Sequence, residues 1–329
     1  MKQLLIIIFI LIAGGAKGYT KDFDYSHIAP HPRLLLKEGE ERNIHIALQK
    51  STVLQAFHKR ILDYCDETLK EAPVKRIKEG KRLLGASRIV LKRVFYLSYA
   101  YRMTGEKESL RRAEKEMLAA ASFIDWNPSH FLDVSEMSMG LAIGYDWLFN
   151  ELLPDSRKKI RQAIVEKAIE ASKTKHASFY QSRTNWNQVC NGGLVCSALA
   201  IYEDEPEKTK EIINKALQTV PLALECYAPD GGYPEGFGYW SYGTSYQVML
   251  NDALESSLGH DAGLSDYPGF LQSAQYIQYM TAPTGDCFNF SDASPKAYGN
   301  IMMFWFAHKT KNPSLLWLEK KYLNDANLE

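Results

Sequence analysis

Two short stretches of this sequence hold the side chains best able to do chemistry. Residues 184–193, TNWNQVCNGG, contain four amides, and residues 228–247, APDGGYPEGFGYWSYGTSYQ, contain a row of phenols. Tyr239, Tyr242 and Tyr246 are three and four residues apart, which places them on one face of a helix. Amides donate hydrogen bonds to charged oxygens, and a well-placed phenol can transfer a proton. The same residue types also make caps, turns and packing contacts, so both interpretations stay open.

The elements that must position these stretches are helices that come in pairs. Apolar residues recur at helical spacing almost everywhere after Arg33, and each apolar segment is followed by a charged, amphipathic one. Three such pairs are residues 87–103 with 106–124, 136–150 with 154–175, and 187–203 with 206–227. Pairs of about 50 residues predict an all-α protein of stacked helical hairpins, either a linear solenoid or an incomplete ring. Both reactive stretches precede an apolar segment, so we expect them at the same end of the fold.

The first residues have the pattern of a secretory signal. Lys2 is followed by an apolar run and by small residues at Ala16 and Gly18, as at a signal-peptidase site. We therefore expect residues 1–18 to be a signal peptide and residues 19–329 to be a single helical domain, exported to the periplasm or secreted. The apolar run is too short to span a bilayer comfortably, so no membrane span should remain after cleavage.

The overall composition excludes recognition by bulk charge. With 39 basic and 39 acidic residues, no field of the whole chain attracts nucleic acid or an anionic membrane, and we expect neither as a partner. A charged ligand must therefore be recognised locally. Five cysteines, an odd number, specify no disulfide framework. The aromatic share of 12% suits sugar stacking and core packing equally well.

Four motifs carry a family resemblance: HPRLLL at 31–36, YDWLFNELLPDSRKKI at 145–160, NWNQVCNGG at 185–193 and PDGGYPEGFGYWSYGTSYQ at 229–247. In these motifs the chain resembles the heparinase II/III-like polysaccharide lyases. The resemblance implies an incomplete (α/α) toroid of stacked helical hairpins over residues 19–329. It also implies cleavage of acidic polysaccharide by β-elimination, in a cleft that family members complete with a C-terminal β-sandwich. We expect that β-sandwich to be absent from this chain.

The chemistry of that family explains its residue types. Elimination across a uronic acid removes a proton beside a carboxylate, and donors that hydrogen-bond the carboxylate stabilise the enolate-like state. By resemblance Asn187 and Gln188 take this role, while Tyr242 removes the proton or protonates the leaving oxygen. A phenol with a pKa of about 10 needs nearby positive charge to lower that pKa before it acts as a base.

Further substrate contacts are expected around these three residues. They are Trp186, Trp240, Tyr239, Tyr246, Arg183 and Glu235. Packing competes with sugar contact for the aromatic residues, and Glu235 is better suited to brace its loop. The expected partner is an acidic polysaccharide or oligosaccharide, of glycosaminoglycan or alginate type.

The sequence departs from the family at its proton-transfer groups. Several members have a histidine where this chain has Gln188, and a second histidine comes from their β-sandwich. None of the eight histidines here lies in either stretch, and His130 and His176 are the nearest in sequence. No HxH, HExxH or CxxC spacing is present, so we expect no metal and no cofactor.

Two other functions remain open. A glycoside hydrolase of the α/α toroid type needs two carboxylates flanking the bond, and Asp146, Glu235, Asp286 and Asp292 are the candidates. The second alternative is a non-catalytic protein that binds carbohydrate, a remnant toroid without its β-sandwich. The ultraviolet absorbance of an unsaturated uronide product separates a lyase from both.

Overall fold

The structure, a computed structural model, describes residues 23–325, so the expected signal peptide at residues 1–18 lies outside it. Over residues 23–325 it contains helices and three isolated β-bridges but no strand, which confirms the predicted all-α class. The α-helices are α1 (Glu41–Lys50), α2 (Thr52–Lys70), α3 (Leu84–Thr104), α4 (Lys107–Ala121), α5 (Phe131–Trp147), α6 (Pro154–Ile164), α7 (Asn185–Ala200), α8 (Pro206–Thr219), α9 (Pro221–Leu224), α10 (Gly236–Leu258), α11 (Ser273–Tyr279), α12 (Met302–Lys309) and α13 (Trp317–Asp325). Within the same range, no helix combines the length and apolar character needed to cross a membrane.

The helices divide into buried inner ones and amphipathic outer ones. Inner helices α3, α5, α7 and α10 contact each other in succession, and α4, α6 and α8 pack on α3, α5 and α7 as their outer partners. Every residue of α5 is buried, and all of α7 except its second residue. A helix that is apolar all round is stable only when neighbours surround it. The three helical pairs predicted from the sequence are therefore present.

Local sequence signals explain where individual helices begin and end. Gly105 ends α3 in the left-handed conformation, with φ of 76°, which glycine adopts without strain. Pro154 opens α6, where its missing N–H has no helical partner to lose.

Two adjacent glycines allow α7 to sit closely between its neighbours. A Cβ added to Gly193 would lie 2.2 Å from Ser135 Oγ of α5. A Cβ added to Gly192 would lie 2.9 Å from the carbonyl oxygen of Tyr246 on α10. Neither distance is compatible with a side chain, so the Asn-Gly-Gly sequence lies inside a helix and serves close packing.

The segment that precedes the helices is fastened to the far ends of α5 and α7. Asp146, fully buried near the end of α5, accepts hydrogen bonds from the backbone N–H of Arg33 at 2.9 Å and from His31 Nδ1 at 2.6 Å. Glu203 pairs with both His31 and Arg33. Burial alone would lower the pKa of His31, but its bonds to the two carboxylates outweigh burial and raise it. The HPRLLL and YDW motifs are thus two halves of one structural contact.

Candidate active site

A cleft of about 570 Å³ opens where the inner helices begin. Its wall consists of the N-terminal parts of α3, α5, α7 and α10, the residue Arg82 just before α3, and the loop that follows α11. The lining side chains able to bind or react are Arg82, Arg88, His130, Asn185, Trp186, Tyr239, Tyr242, Asp292 and Tyr298. The two stretches singled out in the sequence therefore meet at the same end of the helices.

The cleft brings together helix N-termini and two arginine side chains. Each of the four inner helices contributes a lining residue from its cap or first turn, so four helix N-termini surround the opening. A helix N-terminus carries a partial positive charge and unpaired N–H groups. Arg82 and Arg88 add positive charge, part of which is offset by Glu136, paired with Arg88, and by the exposed Asp292. The cleft is therefore suited to an anion although the whole chain is neutral.

Tyr242 lies in the cleft with a buried carboxylate behind it. Its hydroxyl donates to Oε1 of Glu136 on α5. Arg88 Nε donates to the same carboxylate at 3.1 and 3.2 Å, and its guanidinium lies 5.4 Å from the centre of the Tyr242 ring. Burial, reinforced by Glu136, raises the pKa of Tyr242 well above its ordinary value, and burial also raises the pKa of Glu136. Arg88 opposes both shifts without cancelling them, so the lowered pKa that a phenolate base needs is not provided.

His130 enters the cleft from the cap of α5 and is held in one orientation. Its Nδ1 lies 2.6 Å from Oδ1 of Asp133, which is fully buried. The other oxygen of Asp133 accepts from the backbone N–H of Leu83 and from Asn127 Nδ2, both at 2.6 Å. The Trp186 ring packs edge-on against the imidazole at 5.0 Å. Because Asp133 is an acceptor, Nδ1 carries a proton, and Nε2 has no partner among residues 23–325.

Three of the residues predicted from the sequence line the cleft. Tyr242 and Tyr239 project from α10, and Trp186 from the start of α7. The Tyr239 hydroxyl donates to Asp292 in the loop after α11 at 3.2 Å, so this pair bridges the cleft wall. The shared helical face of Tyr239 and Tyr242 is consistent with their spacing.

Asn187 and Gln188 lie inside the protein, not in the cleft. Asn187 Nδ2 donates to the carbonyl oxygens of Ser182 at 3.0 Å and Thr219 at 2.9 Å. Gln188 Nε2 donates to the hydroxyl of Tyr227 at 2.9 Å. Both side chains are fully buried. Their expected role is corrected, because the donors assigned to a substrate carboxylate are used in contacts that hold α7 in place.

Trp240, Tyr246 and Arg183 also lie outside the cleft. Trp240 is fully buried and stacks on Phe306, so it offers no surface to a sugar. Tyr246 is 5% exposed and packs edge-on behind Tyr242. Arg183 is exposed and pairs with Glu225 away from the lining residues. The expected substrate contacts of these three are therefore replaced by packing and a surface ion pair.

Glu235 connects the two reactive stretches without facing the cleft. Its carboxylate accepts from the backbone N–H of Asn185 at 2.6 Å and from Asn185 Nδ2 at 2.8 Å. Tyr233 donates to the same carboxylate at 3.0 Å. Glu235 thus fixes the start of α7 against the start of α10, which is the bracing role that suits it. Asn185 lines the cleft, and one N–H of its amide is used for Glu235.

Four residues important to the cleft were not singled out in the sequence. They are Arg82, Arg88, His130 and Glu136. His130 carries a weak signal, because it stands three residues before Asp133 at the start of an apolar helix, a spacing that lets the two side chains meet. Arg82 lies just before α3, Arg88 on α3 and Glu136 on α5, and only the packing of α3 and α5 with the other inner helices brings them to this site.

Comparison with known proteins identifies no relative: no family model matches the chain, and no curated protein matches it. In the described range 23–325, no three His, Cys, Asp or Glu side chains are grouped so that they could hold a metal ion. The function must therefore be argued from the cleft itself.

Proposed function

We propose that this chain is an exported polysaccharide lyase-like protein that cleaves a uronic-acid-containing polysaccharide, of glycosaminoglycan or alginate type, by β-elimination. The observation that carries the proposal is the Tyr242 phenol, which faces a cleft lined by Arg82 and Arg88 and has the buried Glu136 carboxylate as its proton acceptor. The proposal includes an incomplete α/α toroid for residues 19–329 and removal of residues 1–18 on export. The succession of inner helices, each with an outer partner, supports the toroid.

The arginines suit the carboxylate of a uronic acid. Arg88 uses Nε for Glu136, and its two terminal nitrogens remain for a ligand. Arg82 forms no ion pair within residues 23–325. A planar guanidinium matches a carboxylate with two parallel hydrogen bonds. We assign to these arginines the charge neutralisation first expected of Asn187 and Gln188, and sugar stacking to Trp186 and Tyr239.

The pairing of Tyr242 with Glu136 supports proton removal by a neutral phenol. As the phenolic oxygen takes the proton from C5 of the uronic acid, its own proton passes to Glu136, already its hydrogen-bond acceptor. No phenolate has to exist beforehand, so the raised pKa of Tyr242 is no obstacle. The raised pKa of Glu136 helps, because a carboxylate with a higher pKa is a stronger base. Arg88 stabilises the negative charge that develops on the substrate carboxylate.

The geometry gives less support to glycoside hydrolysis. Of the four candidate carboxylates, Asp292 lines the cleft. Asp146 and Glu235 accept hydrogen bonds from protein N–H groups, and Asp286 bonds Thr284 in a surface turn. A pair flanking a glycosidic bond is not formed from these four. A purely binding function would use the same arginines and aromatics, so turnover has to be measured.

The reaction is tested by incubating the protein with purified uronic-acid polysaccharides and with a neutral glucan. Elimination creates a C4=C5 double bond conjugated with the carboxylate, so ultraviolet absorbance should rise with the uronides. New reducing ends without this absorbance would support hydrolysis instead. Binding without either product would support a non-catalytic module.

The ligand class is tested with two arginine variants that remove the same charge. Arg82→Gln, in the cleft, should weaken uronide binding about fivefold, which is the effect of one exposed charge contact. Arg183→Gln, outside the cleft, should leave binding unchanged. Equal losses in both variants, measured by calorimetry at low salt, would indicate non-specific attraction and contradict the assignment.

A further inference from the structure

His130 has the surroundings of a proton-transfer residue. Its ring is fixed on one side by the fully buried Asp133 and on another by Trp186, the residue lines the cleft, and Nε2 has no partner among residues 23–325. Asp133 is itself fixed by Leu83 N–H and Asn127 Nδ2. A histidine needed only for packing requires no carboxylate held by two further donors. This arrangement fixes Nδ1 on Asp133 and leaves Nε2 as the ring nitrogen available to a ligand.

We propose that His130 is the general acid of the elimination, donating the Nε2 proton to the departing oxygen. The inference rests on the proposed function and adds the group that completes it. The Tyr242 oxygen takes the C5 proton, and the phenolic proton moves to Glu136. The C4=C5 double bond forms as the C4–O4 bond breaks, and O4 leaves with the electron pair and takes the proton from His130. Glu136 then loses a proton to water and His130 gains one, which restores the starting state.

Glu136 and His130 hold distinct positions in this scheme. Both come from the start of α5, but Glu136 is reached through the Tyr242 hydroxyl, whereas His130 opens directly to the cleft beside Trp186. The acid, His130, is therefore held by Asp133, whereas Glu136, which receives the proton from Tyr242, is held by Arg88. A single substitution can remove one function and leave the other intact.

The test uses two substrates that differ in the leaving group. The first is a natural uronide oligosaccharide, whose leaving oxygen needs a proton. The second is a glycoside of a 4-deoxy-4-fluoro-uronic acid, whose fluoride leaves without one, while both give the same unsaturated product. The variant is His130→Asn, because the asparagine amide can still donate to Asp133 in place of Nδ1 but presents nothing at the position of Nε2. Thermal unfolding verifies that the variant is folded.

His130→Asn should reduce kcat on the natural substrate about a hundredfold or more and change the rate on the fluoride less than about threefold. Tyr242→Phe should lose activity on both substrates, because proton removal is needed in each case. His176→Asn, a change outside the cleft, should alter neither rate.

If His130→Asn lost kcat equally on both substrates, the assignment of His130 as the acid would be overturned. Full activity of this variant on the natural substrate would overturn it as well. Failure of the wild-type protein to form unsaturated product from either substrate would overturn the proposed function, and this inference with it.

Discussion

Replacing Tyr242 with phenylalanine removes one oxygen and leaves the ring in place. That oxygen donates to Glu136, which keeps its bond from Arg88 Nε at 3.1 Å. The ring keeps its edge contact with Tyr246, at 5.6 Å between ring centres. The helix and the cleft wall should therefore persist, and the change isolates the proton path from C5 to Glu136.

The expected effects on rate and on stability differ in size. Loss of a general base costs about a hundred- to ten-thousand-fold in kcat, which corresponds to about 3 to 5 kcal/mol of transition-state stabilisation. The hydrogen bond to a charged group is worth about 1.5 to 3 kcal/mol in folding. We expect the lower end, because Arg88 still pairs with Glu136, and Glu136 can take up a proton when its pKa is already raised. The variant should remain folded and lose nearly all turnover.

The assay follows product absorbance under saturating substrate, with binding measured separately by calorimetry. The dissociation constant should change little, since the lost group acts in the transition state. The matched control is Tyr239→Phe, which removes a phenol bonded to Asp292 at the rim of the same cleft and should keep kcat within about threefold. A folded Tyr242→Phe protein that retained more than about a tenth of the wild-type kcat would refute the proposed proton path.

Three further substitutions test the structural contacts. Asn187→Ala should lower the free energy of unfolding by about 1 to 3 kcal/mol, because buried carbonyl groups lose their donor. The kcat of the folded variant should be nearly unchanged. Denaturant titration measures the first effect and steady-state kinetics the second. Gly193→Ala should cost about 1 to 3 kcal/mol, since its Cβ would collide with Ser135, and an unchanged thermal midpoint would contradict the close packing. The raised pKa of His31 means that its bond to Asp146 contributes stability below pH 6.5 and loses that contribution as pH rises through the folded-state pKa. Urea titrations should therefore reveal a decline above pH 6.5 that is absent in His31→Phe, and parallel curves would exclude this contact as the cause.

Much of the helical architecture could be predicted, because it depends on local signals. Apolar periodicity identified α3, α5 and α7, and Gly105 and Pro154 marked helix ends. Gly192 and Gly193 belong to the apolar segment predicted over residues 187–203, but apolar spacing does not explain why two glycines stand there. They lie within α7 because two neighbouring helices approach it at these positions. That requirement belongs to tertiary packing, which residue spacing along one helix does not express.

The candidate site was less predictable for the same reason. Spacing on one helix grouped Tyr242 with Tyr239 and Tyr246, and the family resemblance selected Tyr242 among the three. Asn187 is directed inward by carbonyl groups at Ser182 and Thr219, and no pattern within the asparagine motif specifies this. His130 lines the cleft and Glu136 lies behind Tyr242. Both come from the start of α5, more than 100 positions before Tyr242 in the sequence. Residues that distant can be assigned to one site only after the inner helices are packed.

The inner helices all begin at the cleft, and this concentrates their partial positive charges in one place. Their N-termini and two arginines surround the cleft, while Arg33 at the opposite end donates to the Leu199 carbonyl near the end of α7 at 3.1 Å. Equal numbers of acidic and basic residues cancel the net charge of the chain but not this local field. An approaching polyanion would be attracted to the cleft within about one Debye length, roughly 10 Å in 0.1 M salt. The association rate should therefore fall as salt is added, although the chain as a whole carries no net charge.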